Sequence, residues 1–387
     1  MEETWYAAAQ IGVNKGAIAI FNDSMKNSQI ISYPRYATIF ASVCAILFII
    51  IGVLGNLVTA LALICCPRLR SHATTAFVLS LCVSDLIFCS INLPLTAARY
   101  IHEAWTLGDV LCQLFPVLFY GNVTVSVLSM VAITINRYIM IACHANYSRI
   151  YCPLSIWLQL ILIWGVSFAM MVPPLIGVWG RLGLDVATFS CTILPLNGHS
   201  PKKTYFLAGF ALPCLVIVIS YSCIYCLVTK SRKRLDNHRK QSREVKSRSA
   251  MNRERDDSRL TFLMLTIFIA FLLCFLPLTL VNVFDDDTTL PTLHVIASVM
   301  AWASSVINPF IYAASNRQYR SAYKNLLDHV LQRHSGLKYS SQQPPTSNNN
   351  ANVTTPSQST PLSGKSGPGV VFQPPAKLPN IIKNVHL

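Results

Sequence analysis

Charge is what this sequence has least of: 12% of its 387 residues are Asp, Glu, Lys or Arg, against about 25% in an ordinary soluble domain. With 53% of residues apolar, too little polar surface remains to cover a water-soluble globule. Acid is scarcer still, at 16 residues against 31 bases, for a net charge of +15. In a soluble protein that excess would suggest nucleic acid, but here the bases avoid the apolar segments and gather in the short connections between them. That pattern fits a membrane surface, and no nucleic-acid partner is expected. The first 35 residues lack a basic start, a short apolar core and a small-residue cleavage site, so the first long apolar segment is expected to act as the signal anchor. Most of the thirteen cysteines sit inside apolar runs, where they act as small hydrophobes rather than metal or redox groups. No convergent nucleophile or metal set is evident: His294 has no Cys or acid at ligand spacing and reads as a pocket or rim residue. An enzyme is therefore not expected, and no cofactor beyond an allosteric Na⁺.

What is present is a series of seven apolar segments, near 37–64, 74–98, 110–142, 155–178, 204–229, 260–284 and 291–314. Each has the roughly 20 residues that a helix needs to cross a 30 Å hydrocarbon core, and backbone amides in lipid must be satisfied within the segment. The expected fold is all-α, a seven-transmembrane helix bundle. The connections near 65–73, 143–154 and 230–259, with the C-terminal tail and Arg137, carry 24 Lys/Arg against 6 acids; the N-terminus and the other three connections carry 7 against 9. The positive-inside rule then places the N-terminus outside and the C-terminus in the cytoplasm of a multi-pass plasma-membrane protein. Residues 1–36 form an extracellular N-terminus, 37–314 the bundle, 316–332 a short amphipathic eighth helix at the inner membrane face, and 333–387, rich in Ser, Thr, Asn, Gln and Pro, a disordered cytoplasmic tail. Lys230, Arg232, Lys233 and Arg234 are expected to continue the fifth helix into water. Residues 291–314 contain no lysine, which excludes a retinal Schiff base there. No internal repeat is apparent, and this weakens a transporter or channel reading.

Several polar groups interrupt the apolar spans. Asp85 lies mid-span, where a carboxylate costs at least about 2.5 kcal/mol and is usually functional. Asn56, Ser126 and Asn308 fall at comparable depth, so that together with Asp85 they can form a cluster suited to water and a small cation. Arg137 lies at the inner end of the third span, where snorkelling could carry it to the headgroups. Pro213, Pro277 and Pro309 each remove a helical hydrogen bond and suggest hinges in the last three helices. Cys112 and Cys191 are the two cysteines placed clearly in outer segments, and an oxidising exterior makes them a disulfide pair. Asn22-Asp-Ser24 is the one Asn-x-Ser/Thr site in an outer segment, so glycan is expected on Asn22 alone.

In their order along the chain, Gly55-Asn56, Ser84-Asp85, Cys112, Asn136-Arg137-Tyr138, Trp164, Cys191, Pro213, Tyr221, Cys274-Phe-Leu-Pro277 and Asn308-Pro309-Phe-Ile-Tyr312 resemble the rhodopsin-like, class A G-protein-coupled receptors over about residues 37–330. Two positions depart from the pattern: Asn136 stands where an acid is usual, and Phe275 where Trp is usual. Asn-Arg-Tyr also occurs in melatonin receptors, which however have Ala at the position of Pro309. The stretch from Asn136 to His144 is more similar to an insect branch of the family, for which the resemblance implies guidance of migrating germ cells.

The resemblance implies a receptor that transduces an outer ligand into activation of a heterotrimeric G protein, with arrestin and a receptor kinase as further partners. It implies a switch built from Asn136, Arg137, Tyr138, Tyr221, Phe275, Pro277, Asn308, Pro309 and Tyr312, with Asp257 as the inactive-state ionic partner of Arg137. It also implies a sodium site at Asp85, Ser126, Ser305 and Asn308, with Asn56 beside it. By family position the ligand pocket would be Phe119, Tyr120, Val123, Tyr205, Leu278, Asn282, His294, Ser298 and Trp302. Phe119 stands where amine receptors carry an Asp, so a lipid or other largely apolar ligand is favoured, with peptide binding at Asp285, Asp286 and Asp287 left open.

Overall fold

The computed structural model describes residues 33–66, 73–186, 188–196, 201–241, 248–284 and 289–340, with side chains for all of these except 144, 231–241, 248–258 and 329–340. Asn22, Asp285 to Asp287 and the tail from 341 onward lie outside the described residues, and Asp257 is described only as helical backbone. Among the described residues, seven helices are long and apolar enough to cross a membrane: α1 Arg35–Cys65, α2 Ala73–His102, α3 Asp109–Ala142, α4 Pro153–Leu175, α5 Lys202–Lys230, α6 Arg259–Phe284 and α7 Pro291–Ser315. Each expected span falls on one of them, with ends displaced by a few residues. Helical backbone continues α5 to Gln241 and begins α6 at Arg248, so most of the third inner connection is helix rather than loop. The eighth helix, α8 Arg317–Ser340, runs beyond the expected end at 332. Among the described residues, the strands are those of one two-stranded antiparallel hairpin between α4 and α5, β1 Arg181–Asp185 and β2 Ser190–Leu194.

Of the three prolines expected to act as hinges, Pro213 alone lies beside a local change in the helical ladder, and a second such change lies beside Pro94. α2 and α5 each contain one widened turn, at Phe88–Asn92 and Leu207–Ala211. Each turn lies just before a proline, Pro94 and Pro213. A proline cannot donate to the carbonyl four residues back and its ring clashes with it. Those carbonyls, of Ser90 and Gly209, lie inside the widened turns, where the ladder has already shifted. Pro277 and Pro309 sit inside continuous α-helix, as does Pro116 in α3, which the span reading passed over.

Polar side chains knit the helices where lipid offers no partner. The Trp164 indole donates to Ser80 Oγ (3.0 Å), and Ser80 meets Ser129 (3.2 Å), joining α4, α2 and α3. α8 is held by the Tyr319 ring stacked on Tyr312 (centroids 4.9 Å apart, planes 11° apart) and by a Tyr323 to Thr59 hydroxyl bond of 3.0 Å. Burial pushes the Tyr323 hydroxyl up to about 12. Cys223 and Cys226 have C-x-x-C spacing on α5, yet both are exposed free thiols, and among the described residues no His/Cys/Asp/Glu group of metal-site size occurs.

Two positions make direct stability tests. A Cβ on Gly121 would lie 2.6 Å from the Phe168 ring, which itself stacks on Trp164, so Gly121 sets how closely α3 approaches α4. Gly121→Ala should destabilise the bundle by about 1 to 3 kcal/mol, as overpacking does. Thermal unfolding in nanodiscs would measure the loss, and Phe168→Leu in the same chain should recover part of it. The Cys112–Cys191 disulfide forms as expected and ties α3 to the hairpin, closing a span of 79 residues. Cys112→Ser should lower the unfolding temperature and surface expression, in line with the roughly 2 to 5 kcal/mol seen for small secreted domains. An unchanged unfolding temperature would show the link to be dispensable.

Candidate functional site

Three sites lie along the bundle. The outermost is a cavity of about 170 Å³ roofed by the hairpin. All nine residues expected of the ligand pocket line it: Phe119, Tyr120 and Val123 from α3, Tyr205 from α5, Leu278 and Asn282 from α6, and His294, Ser298 and Trp302 from α7. Its roof comes from Thr188 and from β2, where Thr192 meets the Tyr120 hydroxyl at 3.1 Å. The wall is mainly aromatic and aliphatic, as expected for an apolar ligand. It also carries three charged residues, Arg99, Asp185 and Lys202, which the sequence reading assigned only to outer connections. Nothing in the spacing of those three marked them as pocket residues, because a hairpin roof and the outer turns of two helices bring them together.

Below it lies a small polar cavity of about 10 Å³, roughly the room one water needs. Asp85, Ser126, Ser305 and Asn308 line it, as expected of a sodium site, together with Asn122 and Ser304. The Asn308 amide donates to Asp85 Oδ2 at 2.8 Å, and Ser84 bridges Ser126 (3.2 Å) and the Asn122 carbonyl (3.0 Å). Asn56 is not on the wall. Its amide nitrogen donates to the carbonyls of Ser305 (2.8 Å) and Gly52 (3.0 Å), so it fastens α1 to α7 instead. Asn122 is 1% exposed, and both polar atoms of its amide lack a partner among the described residues. A buried amide without partners beside a carboxylate and hydroxyl oxygens fits a small hard cation with water. Asn122 is an amide inside an apolar span, as Asn56 and Asn308 are, and that signal could have found it; it belongs to none of the motifs that carry the resemblance.

At the inner end Arg137 departs from expectation. It is 1% exposed, buried within the bundle rather than snorkelled to the headgroups. Its guanidinium donates to Thr74 Oγ1, Thr74 in turn donates to Asn136 Oδ1 (2.8 Å), and the Asn136 amide donates to the Tyr147 hydroxyl (3.2 Å). The usual acid is thus replaced by a neutral relay in which Thr74 links Asn136 to Arg137. Neither Thr74 nor Tyr147 was singled out, because a Thr at a span end and a Tyr in a loop are unremarkable in sequence. Tyr138 packs half-buried against the core, while the hydroxyls of Tyr221 and Tyr312 are buried without a partner among the described residues.

Phe275 and Val123 line both the outer and the polar cavity, so these two side chains are the partition between them. Phe275 stacks on Phe271 at 4.6 Å and lies 6.0 Å from Phe210.

Seven spans, an outer cavity, a buried carboxylate below it and a buried arginine at the inner end define a rhodopsin-like G-protein-coupled receptor. The chain belongs to that family, matching the 7 transmembrane receptor (rhodopsin family) over residues 55–312. It is a receptor rather than an enzyme. It is similar to Protein trapped in endoderm-1 of Drosophila melanogaster, with 58% identity over 305 residues covering 75% of this chain and 78% of that protein. The G-protein coupled receptor moody of the same organism is 35% identical over 342 residues, 74% of this chain and 51% of the longer relative. Melatonin receptor type 1C of Xenopus laevis is 28% identical, covering 86% and 80%. The crystal structure of squid rhodopsin shares the fold, with a TM-score of 0.67 at 22% identity, over 81% of this chain and 93% of that one. The expected likeness to the insect branch ahead of the melatonin receptors is borne out by these identities.

Proposed function

We propose that the outer cavity receives an extracellular, largely apolar ligand, and that its entry shifts the bundle toward a state that activates a heterotrimeric G protein. The observation that carries this reading is the Phe275–Val123 partition. A ligand that contacts Phe275 in one state and not in the other has the differential affinity needed to shift the equilibrium. Movement of Phe275 also alters the wall around Asp85 and Asn308, while Pro277, two residues on, supplies a weak point in α6. The chain lies in the plasma membrane with its N-terminus outside, as the distribution of basic residues supports. Receptor kinase and arrestin act on its Ser/Thr-rich tail. Likeness to Protein trapped in endoderm-1 supports a role in guiding migrating germ cells in an insect, and likeness to the melatonin receptors makes an indole-type ligand the alternative.

A G-protein activation screen of cells expressing the full chain, against lipid, indole and peptide libraries, tests the reading. Phe275→Ala should weaken agonist binding and, at saturating agonist and matched surface expression, reduce the maximal response several-fold. A full response from that variant would remove Phe275 from the pathway.

A further inference from the structure

Arg99, at the outer end of α2, is 9% exposed and lines the outer cavity. Its guanidinium lies 4.3 Å above the Tyr100 ring, and one terminal nitrogen donates to the Thr188 carbonyl of the hairpin turn at 3.2 Å. Its Nε is buried without a partner, and among the described residues no carboxylate pairs with it. Buried charges in proteins are paired, because an uncompensated ion taken out of water is costly. A neutral carbonyl and an aromatic face satisfy part of this guanidinium and leave its charge unmatched. Lys202, on α5, adds a second cation to the same cavity wall. The same wall carries one carboxylate, Asp185, so its charged residues leave an excess of one positive charge; the remainder mixes aromatic and aliphatic side chains with neutral polar ones such as Thr192, Asn282 and Ser298, and holds no other Lys or Arg.

Resting on the reading of this cavity as the ligand site, we infer that the natural ligand is an amphiphile: an apolar chain carrying one anionic head, carboxylate or phosphate, which Arg99 holds through charge-assisted hydrogen bonds with Lys202 as the second cation. The planar fork of arginine matches both head groups, so the shared chemistry is an oxyanion on an apolar body. Arg99 would be held in place for it by Thr188 and Tyr100, and this limits the ordering cost of binding.

The full-length receptor in nanodiscs of neutral lipid can be tested with three probes of one chain length: oleate, oleyl phosphate and oleyl alcohol. Saturable binding is read with tritiated probes, and G-protein activation alongside it. At least one of the two acids should bind about tenfold or more tightly than the alcohol, and Arg99→Gln should remove that advantage while leaving alcohol binding unchanged. Arg99→Lys, which keeps the charge without the fork, should retain part of it and guards against a folding defect in the Gln variant. Which acid is preferred distinguishes the two head groups. Equal binding of alcohol and acids, an acid preference that survives Arg99→Gln, or no saturable binding of either acid overturns the inference. Val123→Trp, which fills the cavity, separates the two levels. If it blocks the alcohol while Arg99→Gln leaves acid binding unaltered, the cavity reading stands and the anionic-head inference falls; if it blocks no bound probe, the cavity reading itself fails.

Discussion

Arg137→Gln is expected to remove nearly all ligand-stimulated G-protein activation at unchanged surface expression, and Thr74→Val is expected to do the opposite and raise signalling without ligand. Arg137 is buried and its guanidinium donates to Thr74. A hydrogen bond to a charged group is worth about 1.5 to 3 kcal/mol, so losing this one in a single state shifts the two-state ratio by about tenfold or more. Nearby, the hydroxyls of Tyr221 and Tyr312 are buried without partners among the described residues, which leaves acceptors to gain if the guanidinium lets go of Thr74. Thr74→Val keeps the side-chain volume and deletes the acceptor, so its effect is on the balance of states rather than on packing. The comparison with Asp257→Ala is informative. If the restraint is the neutral relay, Thr74→Val raises basal activity more than Asp257→Ala does; if it is an ion pair across the inner ends of α3 and α6, the order reverses. Measuring basal and stimulated activation for the three variants at matched surface levels decides it. Full coupling by Arg137→Gln would sink the role of this arginine.

Much of this architecture was legible because lipid imposes simple rules. Twenty apolar residues with satisfied backbones must be a helix, and the bases divide between the two faces, so the order of seven spans followed from counting. Buried polar residues stood out for the same reason: Asp85, Asn308 and Arg137 are expensive in an apolar span. What stayed hidden depends on approach in three dimensions. Thr74 meets Arg137 across 63 positions, and Asn56 turns to the backbone of α7 rather than to Asp85. Arg99 and Lys202 read as surface charge on outer connections, until the hairpin roof brings both onto one cavity. The widened turns before Pro94 and Pro213 were equally silent, since periodicity does not distinguish a proline that kinks a helix from one met by a local change in its ladder.

A sodium-dependent rise in the unfolding temperature of the ligand-free receptor is expected, and Asp85→Asn is expected to abolish it. In the wild type, exchanging choline for sodium at constant ionic strength should raise the unfolding temperature. Ligand linkage gives about 1.4 kcal/mol when sodium is ten times its dissociation constant. The neutral amide is close in size to the carboxylate and can still pair with the Asn308 amide through its oxygen, so the variant should fold. What it lacks is the charge that balances a cation in a cavity whose other polar groups are hydroxyls and amides and whose remaining wall is apolar. Asn122→Ala separates two explanations for the same cavity. If the partnerless amide of Asn122 serves the cation through water, the variant should show a weakened but measurable sodium response; if that amide only awaits water, the response should match the wild type. Unfolding measured in sodium, potassium and choline completes the test. A temperature rise in sodium that persists in Asp85→Asn would place the ion elsewhere, and the polar cavity would then be a water site that loosens or tightens with Phe275.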